Sequence, residues 1–159
     1  MKTQVWQVGG KWVDLDTTEV GTWVKTTNNT DIFKSVQEYE EIGSDSTTSP
    51  LFFDFDSTDI AVSQKDTIKV VEYLQQYTTP EIYFSGNKGF HVIVRQEVVG
   101  IDFTVDLHKK MKNFVKFVEN SIEPLPTLDY VVYSSKRMLR IPNSKHGKSG
   151  LYNILINLN

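Results

Sequence analysis

Residues 51–95, LFFDFDSTDIAVSQKDTIKVVEYLQQYTTPEIYFSGNKGFHVIVR, contain the pattern that decides the fold. Within this stretch, Ser63–Tyr77 repeats apolar residues at helical spacing, and Ser63 and Asp66 have the spacing of a capping box, so a helix is predicted there. Pro80 ends the helix. Three apolar runs predict strands around it: Leu51–Asp56, Glu81–Phe84 and Phe90–Arg95.

The pattern continues toward the C-terminus with a second helix and another strand. Thr104–Ser121 has helical apolar spacing, and Tyr130–Tyr133 is a short apolar run. The order β-α-β-β-α-β is that of a ferredoxin-like α+β fold. A basic loop, Ser134–Ser149, and a last strand, Leu151–Leu158, are expected to follow.

The N-terminal part predicts a small separate unit. QVWQV and KWVDL alternate around Gly9-Gly10, which is typical of a hairpin, and Asp31–Ile42 has helical spacing. The polar stretch GSDSTTSP, residues 43–50, is the best candidate boundary. We therefore expect a hairpin-plus-helix unit over 1–49, packed on a core over 50–159.

Composition excludes several classes of site. The 159 residues include no cysteine, which excludes disulfides, thiol catalysis and cysteine-ligated zinc. No apolar run reaches the roughly 18 residues of a membrane span, and the N-terminus lacks a signal-peptide core, so a cytoplasmic protein without membrane contact is expected. Residues 1–85 carry 14 acidic and 6 basic side chains, whereas residues 86–159 carry 6 and 11, which favours an anionic partner for the second half.

The predicted topology brings polar residues together from three distant parts of the chain. In this fold the first strand lies between the third and the fourth and is antiparallel to both. Its end therefore lies beside the starts of those strands, where the sequence has His91 and Asp129. We expect Asp54, Asp56, His91 and Asp129 to converge at one end of one sheet face.

The Asp54-Phe55-Asp56 stretch predicts a metal site. Alternation along a strand places both carboxylates on one face, where they repel each other unless a cation neutralises them. Carboxylate oxygens favour Mg²⁺ or Mn²⁺. The alternative is a strand end that runs into a solvated turn, but aspartates inside so apolar a run are costly to bury unpaired.

Two further stretches carry groups suited to anions. Ser85-Gly-Asn-Lys-Gly-Phe-His91 is a glycine loop whose N–H groups, with Lys88 and His91, could contact phosphate, although a hairpin loop needs glycines anyway. Residues 136–148 contain five Lys or Arg and no acid, the pattern of a solvated basic loop or of a phosphate site. Arg137 and Arg140 flank apolar Met138-Leu139, so at least one arginine should lie close to the core, where its planar fork suits phosphate.

Together, three stretches resemble the motifs of the archaeo-eukaryotic primase superfamily, most closely the primase-polymerases of phages, plasmids and eukaryotes. They are DFD at 54–56, SGNKGFH at 85–91, and LDYVVYSSKRMLRIPNSKH at 128–146. The resemblance spans about residues 51–150. It implies an RRM-like catalytic palm with a small N-terminal α/β unit, and a template-directed nucleotidyltransferase that adds NTPs or dNTPs to a 3′-hydroxyl.

The resemblance also implies roles for individual residues. The catalytic carboxylates that hold two Mg²⁺ or Mn²⁺ ions would be Asp54, Asp56 and Asp129. Contacts to the nucleotide phosphates, or to the template, would come from Ser85, Lys88, His91, Arg137, Arg140, Ser144, Lys145 and His146.

The implied partners are nucleoside triphosphates, a single-stranded DNA template with its primer, and a helicase or accessory helical domain. The location would be the cytoplasm, that of the host cell for a phage or plasmid protein. The zinc module common in the family is impossible without cysteine. The chain is also short for a complete primase, so an excised catalytic domain and a minimal version are both open.

Two rival functions fit parts of the sequence. The run through Asp54-x-Asp56-x-Thr58 matches the nucleophile motif of HAD-type phosphatases, in which Asp54 would attack phosphate. That family needs a late acidic pair, which the chain lacks, and a motif at position 54 of so short a chain leaves too little room for a Rossmannoid sheet. The second rival is a non-catalytic RRM-like module that binds single strands by stacking, which leaves the two aspartates without a use.

Overall fold

A computed structural model describes residues 1–44, 47–100 and 106–156 of the chain, which form two antiparallel β-sheets with helices packed on one of them. The strands in these residues, numbered in chain order, are β1 (Lys2–Gln7), β2 (Val13–Asp16), β3 (Ile32–Ser35), β4 (Glu38–Tyr39), β5 (Thr47–Thr48), β6 (Leu51–Asp56), β7 (Glu81–Phe84), β8 (Gly89–Val94), β9 (Met138–Arg140) and β10 (Ile154–Leu155). The α-helices are α1 (Val20–Val24), α2 (Ile60–Leu74), α3 (Gln96–Val99) and α4 (Leu107–Ser121). Short 3-10 helices cover Thr17–Glu19 and Tyr130–Val132.

The first sheet has the order β5-β4-β1-β3-β9, and β2 also pairs with β1, outside this order. The predicted N-terminal hairpin is confirmed, since β1 and β2 pair antiparallel with Val5 opposite Val13. The predicted helix over 31–42 is wrong, because these residues form β3 and β4. Asp31 has a φ of 49°, which no α-helix accommodates, and β3 pairs with β1 and with the distant β9. Non-local pairing here prevails over a local helical spacing.

The second sheet has the order β10-β7-β8-β6, and its pairs are antiparallel. One face is covered by α2 and α4, which bury the odd-numbered side chains Leu51, Phe53 and Phe55 of β6. The other face carries Phe52, which packs with Val132 and with Leu139 of β9. The two sheets therefore meet along β6 and β9, and the cleft between them holds the polar residues of β6. An antiparallel sheet is also inconsistent with the Rossmannoid sheet of the phosphatase alternative.

The two predicted helices of the core are confirmed with different ends. Helix α2 begins at Ile60 because Asp59 is its N-cap and accepts a hydrogen bond from the Ala61 N–H. Ser63 and Asp66 are buried inside the helix and do not cap it. Helix α4 begins at Leu107; residues 104 and 105 of the predicted helix lie outside the described residues.

The predicted strand Tyr130–Tyr133 is wrong: residues 130–132 form a 3-10 helix. Asp129 caps it by accepting a hydrogen bond of 2.8 Å from the Val131 N–H, and this local turn outweighs the strand propensity of the run. Strand-like pairing occurs instead just before it, where Leu128 forms an antiparallel bridge with Phe55.

After Tyr133, the predicted basic loop contains a strand that was not predicted, and the predicted last strand is shorter than expected. The predicted basic loop includes β9, which joins the N-terminal sheet beside β3. The predicted last strand is confirmed only at β10, and its residues 157 and 158 lie outside the described chain, as do residues 45 and 46 of the predicted boundary. The division into 1–49 and 50–159 stays a prediction. None of the helices in the described ranges is both long and apolar enough to cross a membrane.

Candidate active site

The register of β6 against β8 forms the centre of the site. Asp54 lies directly opposite His91, and Asp56 lies opposite Gly89. Period-2 alternation sends Asp54 into the cleft and Phe55 into the helix-covered core, as the sequence predicts. The Asp54 side chain is 13% exposed and that of Asp56 is 53% exposed, so the first carboxylate is enclosed and the second faces solvent.

Glycine at position 89 is required by the close approach of β8 to β6. A Cβ atom there would lie 2.1 Å from the carbonyl oxygen of Phe55, which cannot move without breaking the pairing. The adjoining loop is closed by Ser85, whose Oγ accepts a hydrogen bond of 3.2 Å from the Gly89 N–H. Lys88 extends from the loop, with Nζ 3.6 Å from Oδ2 of Asp56. The glycine loop thus places a cation beside the exposed carboxylate.

Asp129 is brought to the site by backbone pairing along the free edge of β6. Its N–H donates a hydrogen bond of 2.8 Å to the carbonyl oxygen of Asp54, and the Asp56 N–H donates one of 2.9 Å to that of Thr127. Thr127 is in turn held by buried Asp66, whose Oδ2 accepts from its N–H at 3.1 Å and its hydroxyl at 2.8 Å. Asp66 is a positioning residue that the sequence pattern suggested only as a helix cap.

Arg137 enters the cleft from the loop before β9 and faces the enclosed carboxylate. Its Nη2 donates a hydrogen bond of 3.2 Å to Oδ2 of Asp54. Its Nε is buried and, within the described residues, has no hydrogen-bond partner. A guanidinium carries five N–H donors, so the exposed part of the Arg137 side chain keeps donors for a ligand beside its contact with Asp54.

Burial and neighbouring charges shift both titratable groups at the centre of the site. Burial, reinforced by the nearby Asp129 and Asp56 carboxylates, raises the pKa of Asp54 to about 6 despite the opposing Arg137. Burial and the two arginines lower the pKa of His91 to about 4. At neutral pH Asp54 is therefore an anion and His91 a neutral imidazole. Their 3.6 Å contact, Nε2 to Oδ1, is too long for a hydrogen bond and is not an ion pair.

Arg140 is the arginine that lies close to the core, with a side chain only 9% exposed. Its Nη1 donates to Oδ1 of Asp31 at 2.8 Å and to the carbonyl oxygen of Lys145 at 3.1 Å. Its guanidinium also stacks on Phe33, 4.6 Å from the ring centroid. Arg140 therefore fastens the basic segment to the first sheet and presents only part of its surface to the cleft.

The remaining residues of the third motif have different environments. Ser144 is completely buried, and its hydroxyl donates to the carbonyl oxygen of Ile141 at 2.6 Å. Lys145 pairs through its backbone with Asn29 and Asp31. His146 lines the cleft and accepts from the Ser149 N–H at 3.1 Å; burial and Arg140 lower its pKa. Ser144 therefore has a structural role beside the cleft.

These residues surround a cleft of about 190 Å³ between the two sheets. Among the residues that line it, the sequence did not indicate Phe33, Phe52 or Asn87 as site residues. Phe33 falls in the segment predicted as a helix, and Asn87 lies inside the glycine loop with no distinguishing pattern. Asp129, Ser144 and Lys145 border the cleft without lining it. The sequence-predicted residues that line it are Asp54, Asp56, Ser85, Lys88, His91, Arg137, Arg140 and His146.

The carboxylates have the chemistry of a divalent-metal site, but they are not preassembled around an ion. In the described parts of the chain, no three His, Cys, Asp or Glu side chains are grouped closely enough to hold a metal. Asp54 faces Arg137 and Asp129 caps a turn, although the Asp129 and Asp56 carboxylates both contribute to the raised pKa of Asp54. A cation bound beside these carboxylates would offset their repulsion. The donor set therefore fits Mg²⁺ or Mn²⁺.

Sequence comparison relates the chain to archaeal primases. No protein-family model matches. The DNA primase small subunit PriS of Saccharolobus solfataricus is 33% identical over 91 residues, which covers 45% of this chain and 28% of that protein. PriS of Saccharolobus islandicus is 34% identical over the same extent. The chain thus matches little more than a quarter of the length of these curated relatives.

Comparison of structures gives similar folds over nearly the whole chain. The polymerase domain of Mycobacterium tuberculosis Ligase D, solved in complex with DNA, has a TM-score of 0.57 and 13% identity, covering 99% of this chain and 63% of that one. The catalytic domain of primase RepB′, in complex with initiator DNA, has a TM-score of 0.53 and 11% identity, covering 98% and 75%. At such identities the similarity establishes the fold. The chain is thus similar in sequence to PriS over part of its length, and similar in fold to the polymerase domain of Ligase D and to the catalytic domain of primase RepB′.

Proposed function

We propose that this chain is the catalytic domain of a DNA primase or primase-polymerase, a nucleotidyltransferase that adds NTPs or dNTPs to a 3′-hydroxyl under the direction of a template in DNA replication. The observation that carries the proposal is the convergence of Asp54, Asp56 and Asp129 at one end of β6, beside Arg137 and His91 in one cleft. Carboxylates that can hold cations therefore lie next to basic side chains that can bind phosphate, the combination that nucleotidyl transfer uses.

In the proposed reaction, the oxygen of the 3′-hydroxyl attacks the α-phosphorus of the nucleotide, and the bond to the β-phosphate breaks to release pyrophosphate. Two Mg²⁺ or Mn²⁺ ions held by Asp54, Asp56 and Asp129 would activate the hydroxyl and neutralise the triphosphate. Arg137 would donate to a phosphate oxygen from the guanidinium N–H groups that its contact with Asp54 leaves free. His91 would donate one N–H to the same phosphate group. Because the imidazole is neutral, this hydrogen bond adds no charge at a buried position.

The glycine loop and the basic segment complete the phosphate site in this proposal. Ser85 and Lys88 line the side of the cleft nearest Asp56, and His146 lines the side nearest the basic segment. Arg140, Ser144 and Lys145 support the site structurally, because each is hydrogen-bonded to the backbone or to Asp31. Fixed cations in a partly enclosed cleft stabilise the charge that develops on the leaving pyrophosphate.

The palm of this enzyme is proposed to be RRM-like. The order β6-α2-β7-β8-α3-α4, followed by a single bridge between Leu128 and Phe55 of β6, supports this topology, with the bridge in the place of the fourth strand. The Ligase D and RepB′ domains were each solved with DNA, which supports a DNA template for this chain. A helicase or accessory helical partner, and a cytoplasmic location, stay predictions that depend on the same relationship.

The direct test is incorporation of labelled nucleotides on defined DNA templates with Mg²⁺ or Mn²⁺, with and without a primer. Four templates that differ in a single coding base distinguish templated transfer from terminal addition. We expect the complementary nucleotide to be incorporated in each case. Absence of incorporation with every template, nucleotide and metal would refute the proposal.

A further inference from the structure

A row of aromatic side chains crosses the first sheet and ends in the cleft. Trp12 stacks on Trp6, with ring centroids 5.5 Å apart and planes 16° from parallel. Trp6 is the strand partner of Phe33 and lies 5.7 Å from it, and Phe33 is the strand partner of Arg140. The row Trp12–Trp6–Phe33 thus spans neighbouring strands in one line and finishes under the Arg140 guanidinium.

The two ends of this aromatic row have different surroundings. Phe33 and Arg140 line the same cleft as Asp54. Trp12, at the other end, is 53% exposed, so one side of the row is open to solvent. Lys11 beside it is exposed. The row is therefore a continuous aromatic surface that leads from solvent into the proposed active site.

Sheet stability alone accounts for only part of this arrangement. Stacked aromatic pairs across strands do stabilise hairpins, and the Trp6 indole N–H also donates to the Gly10 carbonyl oxygen at 3.2 Å. That role, however, does not require Trp12 to keep half of its surface in water. Exposed aromatic rings on a sheet, next to basic side chains, are the usual platform on which unpaired bases stack.

We propose that the aromatic row binds the bases of the single-stranded template as it approaches the cleft, with Trp12 as the outermost stacking residue. This inference rests on the proposed function, because it assigns the template path of the same site. The row is continuous with the cleft, so bases that stack along it would arrive beside Asp54. This continuity favours a template strand as the ligand of the row. Residues 136–148, with five Lys or Arg and no acid, border that inner end and can follow the phosphates.

The test is the affinity of the full chain for a labelled oligothymidylate, measured by fluorescence anisotropy at several salt concentrations. Trp12→Leu keeps apolar contact with Trp6 but removes the aromatic face, whereas Trp12→Phe keeps a face. We expect Trp12→Leu to weaken binding about tenfold, the effect of losing one stacked base, and Trp12→Phe to lose less than about threefold. The dependence on salt should not change, since no phosphate contact is removed.

Tyr77→Leu is the matched control, because Tyr77 is 72% exposed just beyond α2 and away from the cleft. It should bind as the wild type does. Thermal unfolding of each variant shows whether the fold is retained. Wild-type affinity in Trp12→Leu would overturn the inference, as would equal losses in Trp12→Leu and Tyr77→Leu. Self-association of the wild type that disappears in Trp12→Leu would also overturn it, because the row would then cover a second copy.

Nucleotide incorporation, measured in parallel, separates this inference from the proposed function. Incorporation by a wild type whose strand binding does not depend on Trp12 refutes the aromatic path alone. Strand binding that depends on Trp12, in a protein that incorporates no nucleotide, supports the path and refutes the proposed function.

Discussion

Arg137 donates a hydrogen bond of 3.2 Å from Nη2 to Oδ2 of Asp54, a residue 83 positions earlier in the chain. The contact joins the third motif to the first and compensates part of the cost of enclosing the Asp54 carboxylate. It does not compensate all of it, since the pKa of Asp54 still rises to about 6 through burial and the neighbouring carboxylates. The site without metal is therefore electrostatically strained, and a divalent cation would relieve the strain.

Asp54→Asn should stabilise the metal-free protein at neutral pH. A pKa of about 6 in place of 3.8 means that the folded state binds more protons than the unfolded state between these values, so stability falls as pH rises through that window. The shift corresponds to about 3 kcal/mol, and the variant should recover up to that amount at pH 7. Denaturant unfolding in EDTA from pH 4 to pH 8 measures it. A variant with the wild-type pH dependence would contradict the assigned burial.

His91→Leu should weaken nucleotide binding without weakening DNA binding. Leucine retains packing against Phe52, 5.3 Å from the imidazole, but offers no N–H to phosphate. Loss of a hydrogen bond to a charged group predicts a rise of about tenfold in KM for the nucleotide. Steady-state kinetics and strand anisotropy give the two values. Reduced DNA affinity with unchanged KM would show that His91 contacts the other ligand.

Arg137→Lys should lower kcat/KM by about 100-fold, because an ammonium cannot contact both Asp54 and a phosphate as the guanidinium fork does. Lys136→Gln is the matched control. Lys136 is exposed and adjacent in sequence, and its loss should reduce the salt dependence of DNA binding by about one unit of slope while leaving kcat nearly unchanged. Equal kinetic effects of the two changes would mean that the basic segment acts only as a diffuse charge.

Arg140 and Asp31 should behave as a structural pair. Burial opposes the ionised Asp31, but the Gly147 N–H and Arg140 lower its pKa on balance. The pair therefore stabilises the fold fully above the ordinary pKa of an aspartate, and this stabilisation is lost as pH falls through the lower pKa of the folded state. Arg140→Gln and Asp31→Asn, each of which removes one charge of the pair, should each cost about 3 kcal/mol of unfolding free energy at pH 7. A double-mutant cycle without coupling would contradict the pairing.

The parts of the site that the sequence predicts are those with a local signal. Alternation in β6 predicted which face Asp54 and Asp56 share, and the strand order predicted that His91 would come beside them. Strand order also predicted the place of Asp129, although the strand expected after it is a capped turn. Local periodicity and simple topology were sufficient for these residues.

The parts that the sequence does not predict depend on contacts between distant residues. Asp31 and Arg140 are 109 positions apart, and the sequence around neither residue indicates that they pair. The pair limits the contact that Arg140 can make with a ligand. β3 pairs with β9, which no helical or strand spacing in 31–42 reveals. Asp66 likewise supports Thr127 across 61 positions.

The central claim is that Asp54 and Asp56 support templated nucleotidyl transfer, and single-nucleotide incorporation on a primed template tests it most directly. The double variant Asp54→Asn/Asp56→Asn keeps the shape of both side chains and removes both charges. Glu72→Gln, on the exposed side of α2, is the control for removal of a carboxylate charge outside the cleft. We predict that the wild type and Glu72→Gln incorporate the complementary nucleotide, and that the double variant falls by about 1,000-fold or more. Incorporation by the double variant at the wild-type rate would contradict the account.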